Sequence, residues 1–347
     1  MVSTLTNEKR LATAEKLADM KAVQDLLITN EQEFLQQSND RDIRDRFQKM
    51  LEDDRKNLGI LETVIVQYGI QSEPRSTVIE MTDKVRELMH SSDLSFYEKV
   101  AQHELLKHGQ VMSGLLIHKA GQIVGSDVEA AVTPLNTVNF ENRAHQEQLK
   151  GVLEVLGTRE LTGQDPDQGV WGRVQDALAA LTGVFGSAVT QGSDKSDMNI
   201  QDILRMDHNK TNMLINNIMQ SNDSQKIQEY FGQLYMDLLV HAEAEEQVVY
   251  PTVRSFYGEE NTQELYDEQA EQKQLLEQLK SSSPTSSEFK SILQDLADVT
   301  QDHIRQEEST MFAAIRNNCS SDESEQLATR FKEAKRQLQS EMARSIQ

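Results

Sequence analysis

The chain has 347 residues, 37% of them hydrophobic and 27% charged, with only 5 prolines and 16 glycines. That length allows two domains, and that composition suits helices with wide polar faces better than a thick β core. Asp and Glu outnumber Lys and Arg by 57 to 35, a net charge of −22, which argues against nucleic acid and anionic membrane surfaces as partners.

Four long helical patterns fill the first part. The first runs from Asn7 to Gln36 with Met20, Val23, Leu27 and Phe34 on one face. The second runs from Arg41 to Tyr68 with Phe47, Leu51, Leu58, Leu61 and Ile65, and stops at Gly69. A short helical piece, STVIEMTDKVRELMH, leads to the third pattern, Ser95 to Lys119, with Val100, Val111 and Leu115. The fourth covers Val138 to Leu156 and ends at Gly157. Spacings of three and four residues throughout are those of an antiparallel bundle.

GTRELTGQDPDQG (157–169) reads as a linker. An apolar stripe of Trp171, Val174, Leu178, Leu181 and Phe185 follows, suited to docking on a bundle or to a contact between copies. With Arg173 as its only cation, it does not read as a membrane-surface helix. TQGSDKSD (190–197) is a second linker. Helices are then expected at Ile200–Gln220, Gln225–Arg254, Thr262–Leu279 and Glu288–Arg316, with a fifth amphipathic helix at Asp322–Met342. The fold class is all-α, two four-helix bundles joined by a linker and an amphipathic helix.

The single cysteine, Cys319, excludes an intramolecular disulfide and fits a reducing compartment. The N-terminal MVSTLTNEKRLATAEKL lacks the apolar stretch of a signal peptide, and no apolar run approaches the about 20 residues of a membrane span. A cytoplasmic location is expected.

In the last part His208, His241 and His303 fall in three different helices. His241 is followed four residues later by Glu245, and His303 by Glu307, so each pair shares one helix face. Leu234, Leu238 and Val248 are in phase with the first pair; Leu296, Val299 and Met311 are in phase with the second. A carboxylate aimed into a core is expensive without a partner, and a metal supplies one. Two such helices face to face can hold two metals with bridging carboxylates.

The stretches ILRMDHNKTNMLI, LLVHAEAEEQVVYPTVR and TQDHIRQEESTMFAAI resemble the hemerythrin-like, or HHE cation-binding, domain over about residues 198–318. The resemblance implies an up-down four-helix bundle with a non-haem diiron centre. Its iron ligands would be His208, His241, Glu245, His303 and Glu307, with Glu308 a rival to Glu307. In the third helix hemerythrins carry a histidine pair four residues apart. Here ELYDEQAEQKQLLEQL offers Glu268 and Gln272 at the inward positions. Glu268 is then either an oxygen ligand or a solvated residue, and Gln272 could orient a bound water. Either way, reversible O2 carriage is put in doubt.

The first bundle has its own constellation: Glu31, Asp54 with Glu52 and Asp53 alongside, Glu104 with His108, and Glu141 with His145. One inward carboxylate from each of four helices plus two histidines is a ferritin-like dimetal pattern. RDRFQKMLEDDRKNLGILETVI and YEKVAQHELLKHGQ resemble the ferritin-like (YciF-like) stress proteins over about residues 18–158. Both His-Glu spacings are four where most ferritin-like proteins have Glu-x-x-His, which leaves a metal-free polar core as the competing reading. The domain organisation is thus a ferritin-like bundle over 1–157, a linker with an amphipathic helix (170–190) over 158–197, a hemerythrin-like bundle over 198–318 and a C-terminal helix over 319–347.

The functional expectation is a non-haem diiron protein in sensing of O2, NO or peroxide or in iron handling under oxidative stress. Alternatives are a diiron oxidative enzyme, reducing O2 or peroxide or oxidising Fe(II), and a metal-free helical interaction protein. Small ligands or iron are the expected partners, with no nucleic acid and no membrane, and a homo-oligomer is compatible.

Overall fold

The computed structural model describes residues 8–166, 169–185 and 198–345. The linker at 190–197 and the end of the amphipathic helix beyond residue 185 lie outside them. Among the described residues the regular elements are all helical.

The first half consists of α1 (Glu8–Gln37), α2 (Arg41–Tyr68), α3 (Ser76–His90), α4 (Phe96–Val124), the short α5 (Ser126–Val132) and α6 (Leu135–Thr162). Four of them form a bundle in which α1 packs on α2 and α4, and α6 packs on the same two. Local sequence sets the ends. Asp40 opens α2 by accepting from the Ile43 amide at 3.1 Å, and Ser95 and Glu98 form a reciprocal capping box at the start of α4. The expected stop of α6 at Gly157 is not observed. A side chain there would meet the Tyr97 ring at 3.0 Å, so Gly157 is a close-packing position inside the helix. The end comes at Gly163, whose φ of 72° provides the left-handed cap.

α7 (Val170–Phe185) docks on α6, as its apolar stripe anticipates. A notch at Gly151 receives Val174 and Trp171, and the Arg46 guanidinium stacks 3.8 Å from the Trp171 ring centre.

The second half contains α8 (Ile200–Gln220), α9 (Ser224–Ala244), α10 (Tyr250–Tyr257), α11 (Glu259–Ser281), α12 (Ser287–Gln306), α13 (Phe312–Asn318) and α14 (Ser321–Ser345). α9 continues into α10, and α12 into α13, each through one wide π turn, Glu245–Val249 and Glu307–Met311. In each bundle two apolar clusters lie on either side of a polar layer. Leu214, Leu234, Leu276 and Leu296 belong to one cluster of the second bundle; Leu204, Val249, Met311 and Phe331 belong to the other. The histidines and glutamates lie between them along each helix.

α14 and the loop after α2 join the bundles. Lys210 of α8 donates to the last carbonyls of α2, Gln67 at 2.7 Å and Tyr68 at 2.9 Å, and pairs with Asp237 at 2.8 Å. Gly69 closes α2 with a φ of 84°, and a Cβ there would collide with the Asp237 carboxylate at 2.4 Å. Both conformation and space therefore demand glycine. Gln339 of α14 donates to the Val66 carbonyl at 3.0 Å, and Gln71 donates to the Arg336 carbonyl at 3.1 Å.

Candidate metal centre

The i, i+4 pairs of α9 and α12 bring their side chains inward as the periodicity requires. His208, His241 and His303 are 3 to 5% exposed, and Glu245 and Glu307 are fully buried. The ligand atoms of His208, His241, Glu245 and Glu307 all lie within 4.8 Å of one another. Glu307 faces both sides: its Oε2 lies 3.1 Å from His208 Nε2, and its Oε1 lies 3.6 Å from His303 Nε2. That placement suits a carboxylate between two cations.

Each histidine is held from behind. His208 Nδ1 lies 2.9 Å from Glu308, His241 Nδ1 lies 2.9 Å from Asp207, and His303 Nδ1 lies 2.7 Å from Glu268. With Nδ1–H donating to a carboxylate, Nε2 is left with its lone pair toward the centre, the arrangement of metal-binding histidines. Asp207 is in turn gripped by the buried Lys335 of α14, at 2.6 and 2.7 Å. The Tyr250 hydroxyl donates to Glu307 at 2.9 Å, and Gln269 donates to Glu245 at 2.7 Å.

The donor set fits a cation. His208 Nε2, His241 Nε2, Glu245 Oε1 and Glu307 Oε2 are buried without a hydrogen-bond partner. Such an atom costs about 1–3 kcal/mol when left alone, and four converging on one space are relieved together by a metal. Both π turns begin at the clustered glutamates, Glu245 and Glu307. The extra residue in a π turn turns the following helix relative to the preceding one, which swings Tyr250 into the pocket; such turns concentrate at functional sites.

Burial by itself lowers a histidine pKa, but here the carboxylates outweigh it. Glu307 and Glu308 push His208 up to about 8, and Glu245 and Asp207 push His241 up to about 10. Burial raises Glu245, with repulsion from Glu307 adding to it, whereas the imidazoles, His303 first, outweigh burial and hold Glu307 down at about 2. At pH 7 without metal, both His208 and His241 are therefore protonated. A cation must displace those protons, so loading at pH 7 is expected to release about two protons per chain and to strengthen as the pH rises. Calorimetry in buffers of different ionisation enthalpy measures this number; release of no protons would contradict the assignment.

The third helix corrects the sequence expectation. Its buried stripe is Leu265, Gln269, Gln272, Leu276 and Leu279. Glu268 is therefore at the rim and reaches the outer nitrogen of His303, not the centre. Gln272 is buried, but it is not one of the four clustered ligands and its Nε2 has no partner. Glu308 is behind His208 and not a rival for the place of Glu307. Asp207, Tyr250, Gln269 and Lys335 were not singled out from sequence. The clean three-and-four series from Leu265 to Leu279 carried the signal for Gln269, whereas nothing local signals Lys335.

In the first bundle Glu31, Asp54 and His145 do converge, but on the Lys107 ammonium. It lies 3.3 Å from Glu31, 3.0 Å from His145 Nδ1 and in direct contact with Asp54. The inward residues of α4 are His103 and Lys107, one position before the expected Glu104 and His108. Those two instead meet Gln146 near the surface, at 3.0 and 3.2 Å. Burial raises Glu31 well above the usual carboxylate range, with Asp54 adding to it, whereas Asp54 is held far below it because Lys107 outweighs burial. One ammonium thus faces one carboxylate and one neutral acid. Glu141 is turned toward Asp53 and His145, and the ligand atoms of these three lie within 4.8 Å.

Among the described residues no helix is long and apolar enough to cross a membrane. No solved structure matches the chain. Over 339 residues it is 69% identical to a Nostoc sp. (strain PCC 7120) protein named DNA nickase, covering 98% of this chain and 97% of that one. Over 140 residues it is 29% identical to an uncharacterized hemerythrin-like protein of Schizosaccharomyces pombe, covering 40% of this chain and 69% of that one. The exclusion of nucleic acid drawn from net charge finds no support in the first likeness. The hemerythrin HHE cation-binding family matches residues 199–315, where the histidines and glutamates of the centre lie. The second bundle thus matches the hemerythrin HHE family, and end to end the chain belongs to one family with the Nostoc protein.

Proposed function

We propose that the protein cuts one strand of DNA and that its hemerythrin-like bundle carries a non-haem diiron centre responding to O2, NO or peroxide. The full-length 69% identity to a protein named DNA nickase carries the first half. The four partnerless ligand atoms, with three histidines backed by carboxylates, carry the second. His208, His241, Glu245, His303 and Glu307 would hold the iron. Iron at such a site supplies reversible binding of a small oxidant or a change of valence; the chain's residues hold the imidazoles in one tautomer and keep water out. Without metal, those buried atoms are compensated only by ion pairs of protonated imidazole and carboxylate, His208 with Glu307 and His241 with Glu245, each at 3.1 Å. Lys335 and α14 touch both the centre and the end of α2, so a change at the irons has a packed route to the first bundle. A cytoplasmic setting, suggested by the single cysteine, would give access to DNA.

The net charge of −22 is a sum over the whole surface and does not decide a local encounter. A bound divalent cation reverses the local field. Purified full-length protein with supercoiled plasmid and Mg(II) or Mn(II) is expected to give open circles well before linear DNA. Plasmid that stays supercoiled under every divalent cation would overturn the nicking half. Absence of tightly bound iron would overturn the other half.

A further inference from the structure

We infer that Asp53, Glu141 and His145 form a second, surface-accessible site for a divalent cation, and that the DNA phosphodiester is hydrolysed there and not at the hemerythrin-like centre. The inference rests on the nicking half of the reading above. Accessibility comes first. The five side chains of the hemerythrin-like centre are at most 5% exposed, inside a bundle. A phosphate within a DNA strand cannot enter a space of that kind. If the chain cuts DNA, the water and phosphorus must meet elsewhere.

Among the described residues the other group of histidine and carboxylate atoms close enough to share a cation is Asp53, Glu141 and His145. It opens to solvent through Asp53, which is 19% exposed, and the half-buried Glu141. His145 is the fixed element. Its ring is fully buried, with Nδ1 3.4 Å from Asp54 Oδ1 and Nε2 3.4 Å from Asp53 Oδ2. Asp54 is held by the buried Lys107. The hemerythrin-like centre uses the same three residue types, with His241 backed by Asp207 and Asp207 held by Lys335, but here the lysine also touches the ring, 3.0 Å from His145 Nδ1. A cation at Nε2 therefore requires the ring proton on Nδ1, directed to Asp54, with Lys107 held by Asp54 and Glu31 alone. Burial and the charge of Asp53 raise Glu141, so the carboxylates repel each other until a cation lies between them.

The surroundings suit an anionic polymer. Lys49 and Lys56 are exposed on α2, four residues before and three after Asp53, on the same side of the helix. They flank the site where the phosphate oxygens on either side of the scissile bond would lie. Three protein ligands on a hard divalent ion leave positions for a water and a phosphate oxygen. The water oxygen attacks phosphorus and the P–O bond to one ester oxygen breaks. One water proton goes to a carboxylate of the site, and the departing oxygen takes a proton from solvent. One water is consumed, leaving a hydroxyl end and a phosphomonoester end, with no oxidant required. A single site reaches one strand at a time, which yields a nick.

The test is plasmid relaxation with Mn(II), run on full-length wild type and on the Asp53→Asn/Glu141→Gln variant, with Mn(II) affinity read by electron paramagnetic resonance on the same samples. Iron content and helical circular dichroism report whether the variant is folded. The expected result is a loss of nicking of about 100-fold or more and a parallel loss of one Mn(II) site, with iron retained. Lys49→Ala/Lys56→Ala is expected to raise the DNA concentration needed without removing the Mn(II) site. If wild type nicks and the Asp53→Asn/Glu141→Gln variant nicks equally, or if wild type binds no Mn(II) that this variant loses, the site assignment is overturned and the nicking reading stands. If wild type does not nick, the nicking reading fails and this assignment of hydrolysis falls with it.

Discussion

Glu307→Ala is expected to leave the second bundle without iron. Glu307 is the one carboxylate whose two oxygens face His208 and His303 separately, at 3.1 and 3.6 Å. Its loss removes a ligand from both halves of the centre. A buried partner of a metal-binding histidine accounts for about 10–100-fold in affinity, so loss of a shared ligand should exceed about 100-fold. Elemental analysis should fall from about two irons per chain to near none, while circular dichroism stays helical. Glu268→Ala provides the contrast. Because Glu268 reaches the outer nitrogen of His303 at 2.7 Å, its removal should weaken iron by about 10–100-fold without emptying the site at saturating iron. If Glu268→Ala empties the site as completely as Glu307→Ala, Glu268 is a ligand and the outer position assigned to it is wrong. Glu307→Ala retaining full iron would sink the centre itself.

Lys107→Met should unfold the first bundle far more easily. The ammonium is fully buried and is the only cation in contact with both Glu31 and Asp54 among the described residues. Removing one partner of a buried ion pair leaves the other charge without compensation, at a cost of about 3–5 kcal/mol. Methionine keeps most of the volume, so the loss reports charge and not a cavity. Urea denaturation followed by circular dichroism measures it. The double variant Lys107→Met/Asp54→Asn should recover a large part of the stability, because no lone charge remains. A single-variant cost below about 1 kcal/mol would mean that Asp54 takes up a proton at little expense, and that the ion pair is not what holds the layer together.

The helices of both bundles were legible in the sequence because their signals are local. Asp40, Ser95, Asp223 and Ser286 cap helices through their nearest amides. His241 with Glu245 and His303 with Glu307 share a face whatever the fold, since four residues return a helix to the same side. That is why His208, His241, Glu245 and Glu307 cluster, with His303 3.6 Å from Glu307. Where a polar face is wide, the same reasoning loses its footing. In α11, Glu268 and Gln269 are adjacent and both polar, and in α4 so are His103 with Glu104 and Lys107 with His108. One residue is 100° of helix, and only the neighbouring helices decide which of two polar side chains is buried. In both helices the inward residue is one step from the expected one.

By itself the sequence determined an all-α chain of two bundles and pointed to a buried cluster of histidine and glutamate in the second, because periodicity and capping act within a turn or two. The tertiary structure alone decided what lies behind and beside those residues. Lys335 reaches Asp207 from 128 positions away, and Arg10 reaches Asp127 across 117. Lys107 stands at the point where a metal was expected in the first bundle, and Asp53 joins Glu141 and His145 from another helix. Long-range pairs carry no periodic trace, since burial, not spacing, selects which charges must find one another. Net charge is silent on such groupings for a related reason: it adds every side chain equally, whereas a charged partner feels the few within a Debye length of about 10 Å.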